Sequence, residues 1–368
     1  MTTAETSASP AVSSAEDSAP LWNFWYPAMR SGPLHARKLY PAMLLGVPLV
    51  LGRDARGRAF ALRDNCPHRA MPLSFGRFDG SQIQCIYHGW KFEACSGQCR
   101  EIPSLAADAG IRVDRIFVES FVCEERDGYV WVFLRDAQRA RVSPETLPPV
   151  PELPVFGSRY RTFFHSVEFS SDFDQGVLGL LDPAHGPYVH QSWFWRSSGR
   201  QREKEKSFDP LPLGFRMRAH APSSNSAAYK ILGASGERTT TIDFVLPGIR
   251  VEIIRAGKKF FTNRTMVTPI RADLCRLDFS AAWNFFPWFP LTPAIFGWFA
   301  RRFIAQDQGN FEKQSIGLRH DPKMMLVGDA DRQARWFFAL KDAWRDSLRT
   351  GAPLKHPLTA PVTLRWRS

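Results

Sequence analysis

The sequence predicts an α+β protein of two domains, an N-terminal all-β domain and a larger C-terminal domain that combines an antiparallel sheet with helices. Short runs rich in β-branched and aromatic residues, separated by Gly, Asp and Arg turns, fill the first part of the chain. Helical patterns join such runs only beyond a proline-rich stretch. With 368 residues the chain is long enough to bury a core in each domain.

The domain bounds follow from composition. Residues 1–20 hold three acidic residues, no Lys or Arg and no apolar run, so we expect a disordered tail and no targeting signal. The all-β domain is predicted over 21–140. Five prolines occur over 141–158, which predicts a stiff, extended linker. The second domain is predicted over 159–368.

The second domain contains both strand and helix patterns. Helices are predicted near residues 172–184 and over 298–318 and 329–349. Its strand-like runs are RYRTFFHSVEF, TTTIDFVLPGIRVEII, KKFFTNRTMVTPI and CRLDFSAAWNFF. The strand patterns and the helical patterns fall largely in separate runs along the chain, which supports an α+β domain.

Charge and aromatic content restrict the classes of function. Lys and Arg outnumber Asp and Glu by 48 to 36, a formal net charge of +12. Because the excess is mostly scattered Arg, we expect no nucleic-acid binding and interpret the basic surface as suited to an acidic protein partner. The 29 Phe and 12 Trp indicate a wide apolar cavity or a membrane-facing surface. They are dense over 283–303, but three prolines there argue against a transmembrane helix.

A first group of metal ligands lies in the all-β domain. Cys66-Pro-His68 is followed, after 16 residues, by Cys85-Ile-Tyr-His88. Two Cys and two His suit either tetrahedral zinc or a Rieske 2Fe-2S cluster, in which two thiolates hold one iron and two imidazoles hold the other. A zinc finger pairs Cys with Cys and places its His on a helix, whereas each pair here mixes the two. The spacing therefore favours the 2Fe-2S cluster.

A second group lies in the other domain, in the segment Asp182-Pro-Ala-His185-Gly-Pro-Tyr-Val-His190. We expect Pro187 to force the chain out of the helix after His185, so that both imidazoles face one ion. Two His and one carboxylate form the facial triad of non-haem Fe(II), which leaves positions open for dioxygen and substrate. Taken alone, the spacing also suits two unrelated histidines.

Taken together, CxH…CxxH and, about 100 residues later, DPAHxxxxH resemble the α-subunit of Rieske non-haem iron oxygenases over about residues 21–349. This resemblance implies a Rieske domain and a helix-grip-like catalytic domain. It also implies one Rieske 2Fe-2S cluster and one mononuclear Fe(II). The implied cluster ligands are Cys66, His68, Cys85 and His88.

The resemblance also implies the ligands of the mononuclear iron, which are His185, His190 and a carboxylate in a helix with a D-x4-E pattern. Asp307 and Glu312 fit that pattern, and we assign the ligand to Asp307 with Glu312 as the competitor. The family usually places Asn three residues before the aspartate of DPAH, where this chain has Gly179. The consequence of that departure is left open.

Asp182 matches the carboxylate that, in the family, joins a cluster histidine of one subunit to an iron ligand of the next. The resemblance therefore implies a head-to-tail homotrimer, because the two metals within one chain of the family are too far apart for efficient electron transfer. A cap at the end of the helix before Pro183 is the other role open to Asp182.

No nucleotide-binding fingerprint opens a helix after a strand, so NAD(P)H would act only through a separate ferredoxin or reductase. The chain length resembles the α-only group, which favours hydroxylation or oxidative demethylation of a bulky sterol-like, terpenoid or polycyclic aromatic substrate by O2. The alternatives are aromatic cis-dihydroxylation and a Rieske electron carrier without oxygenase activity. Sparse cysteines in a metal pattern predict the cytoplasm, with peripheral membrane contact through 283–303 as a further hypothesis.

Overall fold

The computed structural model describes residues 21–106, 108–136, 147–153, 160–192, 201–221, 238–320 and 322–368. They form two compact units. One unit comprises Leu21–Glu152 together with Pro269–Arg271, and the other comprises the remaining described residues from Leu153 onwards. The predicted tail lies outside the described residues, as do 141–146 and 154–158 of the predicted linker.

The N-terminal unit consists of strands and two short 3-10 turns among its described residues, in agreement with the all-β prediction. Its three antiparallel sheets have the orders β1-β11-β10, β2-β3-β4-β9 and β5-β6-β7-β8. The strands are β1 (Phe24–Arg30), β2 (Leu39–Leu44), β3 (Val47–Arg53), β4 (Ala59–Arg63), β5 (Arg77–Phe78), β6 (Gln82–Gln84), β7 (Lys91–Glu93), β8 (Cys99–Glu101), β9 (Ser120–Phe121), β10 (Cys123–Arg126) and β11 (Tyr129–Leu134).

Burial in this unit follows the position of each strand. All six residues of β11 are buried because the strand lies in the centre of its sheet. A second cluster forms around Leu62, Ile83 and Phe92 and includes the buried Cys66 and Cys85. The two predicted ligand cysteines therefore lie in the core of the unit.

The second unit is built on one eight-stranded sheet with the order β12-β18-β17-β16-β15-β14-β13-β19. The strands are β12 (Arg161–Phe169), β13 (Glu203–Leu211), β14 (Gly214–His220), β15 (Arg238–Val245), β16 (Ile249–Ala256), β17 (Lys259–Arg271), β18 (Leu274–Trp283) and β19 (Val362–Arg367). The four apolar runs of the sequence form β12 and β15–β18, whereas β13, β14 and β19 were not predicted. In β19 only Leu364 and Trp366 are buried, alternating with exposed charged or polar residues, so no apolar run marks the strand.

The described helices of this unit are α1 (Phe173–Leu181), α2 (Gly186–Val189), α3 (Thr292–Leu318) and α4 (Arg332–Thr350). The three predicted helical regions are present, but α3 begins six residues earlier than expected. Pro293 lies in its first turn, where a missing N–H costs nothing, so this proline starts the helix instead of interrupting it. Among the described residues, no helix combines the length and apolar character that crossing a bilayer requires.

Two contacts fix the positions of α1 and α3, the helices next to the residues predicted to bind the mononuclear iron. Asp174 of α1 and Lys341 of α4 form a buried ion pair. Burial raises the pKa of Asp174 and lowers that of Lys341, and each partner's charge opposes the shift. On α3, Gly297 lies so close to β12 that a Cβ there would stand 2.3 Å from the ring of Phe163. Glycine at this position therefore lets α3 lie directly on the sheet.

Candidate functional site

The four cluster residues lie on two loops that are closed in the same way. In the first loop, the Cys66 amide donates a hydrogen bond to the carbonyl of Met71 at 2.9 Å. In the second loop, the Cys85 amide donates to the carbonyl of Trp90, also at 2.9 Å. Each cysteine thus begins a tight loop that carries its histidine partner two or three residues later.

Both loops turn through a residue with positive φ four positions after the cysteine. These residues are Ala70, with φ 57°, and Gly89, with φ 76°. Their amides donate back to the carbonyls of Cys66 and Cys85 at 2.8 and 3.0 Å. A left-handed residue is needed here because the chain reverses within one turn, which explains the glycine after His88.

The side chains divide into buried thiols and outward imidazoles. Cys66 and Cys85 are each 2% exposed, whereas His68 is exposed and His88 is half-buried. The two imidazole rings lie 4.4 Å apart between centroids. Burial raises the pKa of the Cys66 thiol to about 11, and the adjacent Cys85 contributes to the rise. Iron binding deprotonates such thiols, so two thiols inside and two imidazoles outside fit the donor set of a Rieske cluster.

Trp90 holds one of these imidazoles in place. Its ring is stacked on His68, with 4.8 Å between centroids and an interplanar angle of 5°. The same side chain packs against the core cluster that contains both cysteines. The sequence suggested packing for Trp90, and the structure adds this contact with a candidate ligand.

In the second unit, α1 ends at Asp182, and Pro183 prevents its continuation. His185 and His190 flank the single turn of α2. The expectation that Pro187 forces the chain out of a helix after His185 is wrong. Pro187 lies in the first turn of α2, where proline is favoured, and the break in helix occurs earlier, after Asp182.

The structure brings His185, His190 and Asp307 together, close enough for one metal ion. The Nε2 atoms of the two histidines are 3.2 Å apart. Oδ1 of Asp307 is 3.3 Å from Nε2 of His190 and 3.7 Å from Nε2 of His185. Glu312, the competitor for the carboxylate role, is exposed and does not belong to this group. The three donor atoms converge on one point, which fits the facial triad of a non-haem iron.

The electrostatics of this group also fit a cation. Burial raises the pKa of Asp307 to about 6, against the opposing effect of His185. Burial lowers the pKa of His190 to about 4, and the charge of His185 adds to the decrease. A buried carboxylate beside a neutral imidazole favours a bound divalent ion, because the ion's charge compensates the carboxylate.

His190 is held by two further residues of α3 that the sequence did not reveal. Phe303 is stacked on the imidazole, with 3.6 Å between centroids. Oε1 of Gln306 lies 3.3 Å from Nδ1 of His190, and Nε2 of Gln306 donates to Oγ of Ser192 at 2.7 Å. With Oε1 of Gln306 facing the ring, Nδ1 of His190 donates to Gln306 and Nε2 keeps its lone pair for a metal. The only sequence signal is the i, i+3, i+4 spacing of Phe303, Gln306 and Asp307.

Asp182 lies next to His185 at the end of α1. Its Oδ1 accepts the amide hydrogen of Ala184 at 2.7 Å, and its Oδ2 lies 3.6 Å from Nδ1 of His185. That distance is too long for a hydrogen bond, so the pair interacts through charge. Burial lowers the pKa of His185, but the carboxylates of Asp182 and Asp307 outweigh it and raise the pKa above its usual value. Asp182 thus both ends α1 and lies in contact with His185.

Gly179 faces an aromatic ring. A Cβ at this position would lie 2.4 Å from Cζ of Phe311, which follows Asp307 by one turn of α3. The Phe311 ring is stacked on Phe169, with 4.6 Å between centroids. The space that a side chain at position 179 would need is therefore filled by an apolar ring.

Comparison with known proteins identifies the N-terminal unit. The family model of the Rieske [2Fe-2S] domain matches residues 24–121. The N-terminal unit is a Rieske domain. The matched range includes both cysteine and histidine loops, which agrees with a cluster held there.

Curated relatives match about half of the chain. Chlorophyllide a oxygenase of Chlamydomonas reinhardtii is 37% identical over 188 residues, which are 50% of this chain and 27% of that protein. The 4beta-methylsterol monooxygenase of Methylococcus capsulatus is 35% identical over 170 residues, 46% of this chain and 44% of that protein. The matches thus span less than half the length of these relatives. They confirm the resemblance of the chain to Rieske oxygenases.

Solved structures cover nearly the whole chain. Pseudomonas putida CBB5 NdmA, as the QL mutant with theobromine, has a TM-score of 0.69 at 19% identity and covers 92% of this chain and 96% of its own. Dicamba monooxygenase bound to dicamba has a TM-score of 0.69 at 23% identity and covers 87% of this chain and 97% of its own. At these identities the likeness concerns the fold, and it confirms the predicted fold class.

The carboxylate assignment can be tested by two alanine substitutions on α3. We expect Asp307→Ala to lose the mononuclear iron and keep the coloured cluster, because two neutral imidazoles hold a dication weakly. Iron analysis and visible absorption measure the two centres separately. Glu312→Ala is the matched control and should keep both. Retention of the mononuclear iron in Asp307→Ala, with its loss in Glu312→Ala, would reverse the assignment.

The role of Gln306 predicts a change in metal affinity. Gln306→Ala removes the acceptor that orients His190, so we expect Fe(II) affinity to fall about 10-fold to 100-fold. Titration of the metal-depleted protein with Fe(II) measures this change. Gln308→Ala is the control, because Gln308 lies on the same helix and bonds only to the carbonyl of Glu168 among the partners resolved for it. Equal affinities of the two variants would show that Gln306 does not orient His190.

Proposed function

We propose that the protein is a Rieske-type oxygenase that hydroxylates or oxidatively demethylates a bulky hydrophobic substrate, with O2 and with electrons from a separate NAD(P)H-dependent reductase. The observation that carries this proposal is the convergence of His185, His190 and Asp307 in a chain that also has a Rieske domain. A Rieske electron carrier needs only the cluster. It has no use for a facial triad, so the second site favours the oxygenase.

The residues of the two sites have different tasks in this proposal. When bound, the cluster would supply single electrons and the mononuclear Fe(II) would supply the coordination positions for dioxygen. Cys66 and Cys85 would hold the buried side of the cluster, and His68 and His88 its outer side. Electrons would therefore enter and leave the Rieske domain by the imidazole face, where a partner can approach.

At the second site the protein residues orient the ligands and exclude water. Gln306 keeps the proton of His190 on Nδ1, and Phe303 covers one face of that ring. Asp182 lies beside Nδ1 of His185 and favours a proton there. Both histidines would thus present Nε2 to the iron, with Asp307 supplying the negative charge.

Asp182 is also proposed to be the bridge between the two sites of neighbouring subunits. It is only partly buried, so one side of its carboxylate is accessible to a second chain. In a head-to-tail homotrimer, this side would accept a hydrogen bond from the partner subunit's His88. The carboxylate would then contact a ligand of each site without binding either metal.

A bulky apolar substrate agrees with the surroundings of the facial triad. Phe303 covers one face of His190, so an aromatic ring borders the site. A relative at 35% identity carries the name 4beta-methylsterol monooxygenase. We therefore favour a sterol-like, terpenoid or polycyclic aromatic substrate and the insertion of one oxygen atom.

Aromatic cis-dihydroxylation is the second candidate. The relative named as the oxygenase subunit of 3-chlorobenzoate-3,4-dioxygenase, from Comamonas testosteroni, is 29% identical over 169 residues. This relative favours insertion of two oxygen atoms into a smaller ring. The identity is lower than that of the sterol relative, so we rank it second.

The electron donor in this proposal is a ferredoxin or a ferredoxin reductase. The net charge of +12 suits an acidic donor of that kind. Ile86 and Tyr87, exposed by 53% and 52%, lie beside His88 and would supply apolar contact area for it. We propose the cytoplasm as the compartment, because Cys66 and Cys85 must stay reduced to bind iron.

The proposal is tested by metal content and product analysis together. Purified protein should contain about three irons per chain, two from the cluster and one from the facial triad. With a ferredoxin, its reductase and NAD(P)H, mass spectrometry over a panel of sterols and polycyclic aromatics should detect one added oxygen atom from isotopically labelled O2. About two irons per chain and no product would indicate the electron carrier instead.

The bridging role of Asp182 is tested by Asp182→Asn, which keeps size and one acceptor but removes the charge. Both metals should remain bound, whereas reoxidation of the reduced cluster by O2 and substrate in a single turnover should slow by more than about 10-fold. Stopped-flow absorption of the cluster measures this rate. Reoxidation at the wild-type rate would leave Asp182 with the helix-end role alone.

A further inference from the structure

The start of α3 and the loop before it expose several large apolar side chains. Trp288 is 75% exposed, Leu291 58%, Trp298 44% and Ile295 43%. We call these four side chains the apolar patch. Leu291, Ile295 and Trp298 follow the i, i+4, i+7 spacing and line a shallow, open depression, so they form one stripe on the helix. Monomeric proteins rarely leave such a group in water without an interaction partner.

The charged residues next to the apolar patch are basic. Arg301 and Arg302 are exposed in the next turn of α3, and the guanidinium of Arg302 lies 5.2 Å from the centre of the Trp298 ring. In the sequence, no acidic residue lies between Asp278 and Asp307. The patch thus combines apolar side chains with a cationic border. A phospholipid surface has the complementary structure, with an apolar interior beneath anionic phosphates.

We propose that the apolar patch docks the protein on a membrane that contains anionic phospholipids. Trp288 and Trp298 would lie at the level of the headgroups, where tryptophan is enriched in membrane proteins. Leu291 and Ile295 would enter the upper acyl region, and Arg301 and Arg302 would contact phosphates. The stripe is only two helical turns long, which suits shallow binding in the plane of the surface.

Docking at this place attaches the protein to the surface without placing the facial triad at it. Trp298 and Asp307 are nine residues apart on α3, which is about 14 Å along the axis and about half a turn around it, so Asp307 lies on the opposite side of the helix from the patch. Binding of the patch to lipid therefore does not rest on the proposed function.

The experiment is cosedimentation of the full-length holoprotein with vesicles. We expect binding to phosphatidylcholine vesicles that contain about 30% phosphatidylglycerol, and at least about 10-fold weaker binding to pure phosphatidylcholine. Leu291→Ser and Trp298→Ser, together or singly, should weaken binding to the anionic vesicles about 10-fold or more. Arg301→Gln with Arg302→Gln should remove the preference for anionic vesicles.

Ile316→Ser is the matched control, because Ile316 is 59% exposed on the same helix but lies outside the patch. It should bind vesicles like the wild type. Trp288→Ser offers a variant in the loop before the helix, where a loss of folding is not expected because the side chain is 75% exposed. Far-ultraviolet circular dichroism and thermal unfolding identify correctly folded variants.

Three outcomes would overturn the inference. In the first, the wild-type protein does not bind anionic vesicles. In the second, the patch variants bind as well as Ile316→Ser. In the third, the patch variants differ from the wild type in oligomeric state, as measured by light scattering. The last result would assign the patch to contact between copies of the chain. Because binding is scored without turnover, an inactive protein that binds vesicles would contradict only the proposed function, and an active one that does not bind would contradict only this inference.

Discussion

The proposed function of the second unit depends on the convergence of His185, His190 and Asp307. The two histidines come from one short segment, and α2 sets their spacing, so their Nε2 atoms lie 3.2 Å apart. Asp307 comes from a helix more than 100 residues later in the chain. Its position is fixed by the packing of α3 on β12, which Gly297 permits. The candidate metal site therefore forms where two segments meet, and the packing of α3 on the sheet sets the distance between them.

Much of this arrangement was predictable because its signals are local. Cys66, His68, Cys85 and His88 lie in two short loops, so their spacing alone indicates a cluster. Strands β13, β14 and β19 were not predicted, because polar residues interrupt their few buried side chains. The sequence predicts α3 only from residue 298, whereas the helix begins at Thr292 with Pro293 in its first turn, a position that proline favours. Gln306 and Phe303 were missed because their contact with His190 joins segments more than 100 residues apart, which no local pattern records.

The two candidate centres differ in how they meet their surroundings. The cluster loops keep the thiols inside and present imidazoles to the solvent, a geometry suited to exchange of electrons with another protein. At the second centre, His190 is only 5% exposed and one face of its ring is covered. His190 is thus better shielded from bulk water than the imidazoles of the cluster loops, whereas His185 and Asp307 remain partly exposed.

The contact between Gly179 and Phe311 restricts how this chain can change. A side chain at position 179 would overlap the Phe311 ring, so a substitution there forces that ring to move. Loss of the ring would in turn remove the stack on Phe169 and leave a cavity beside α3. The two positions are therefore coupled, and a change at one alters what the other can accommodate.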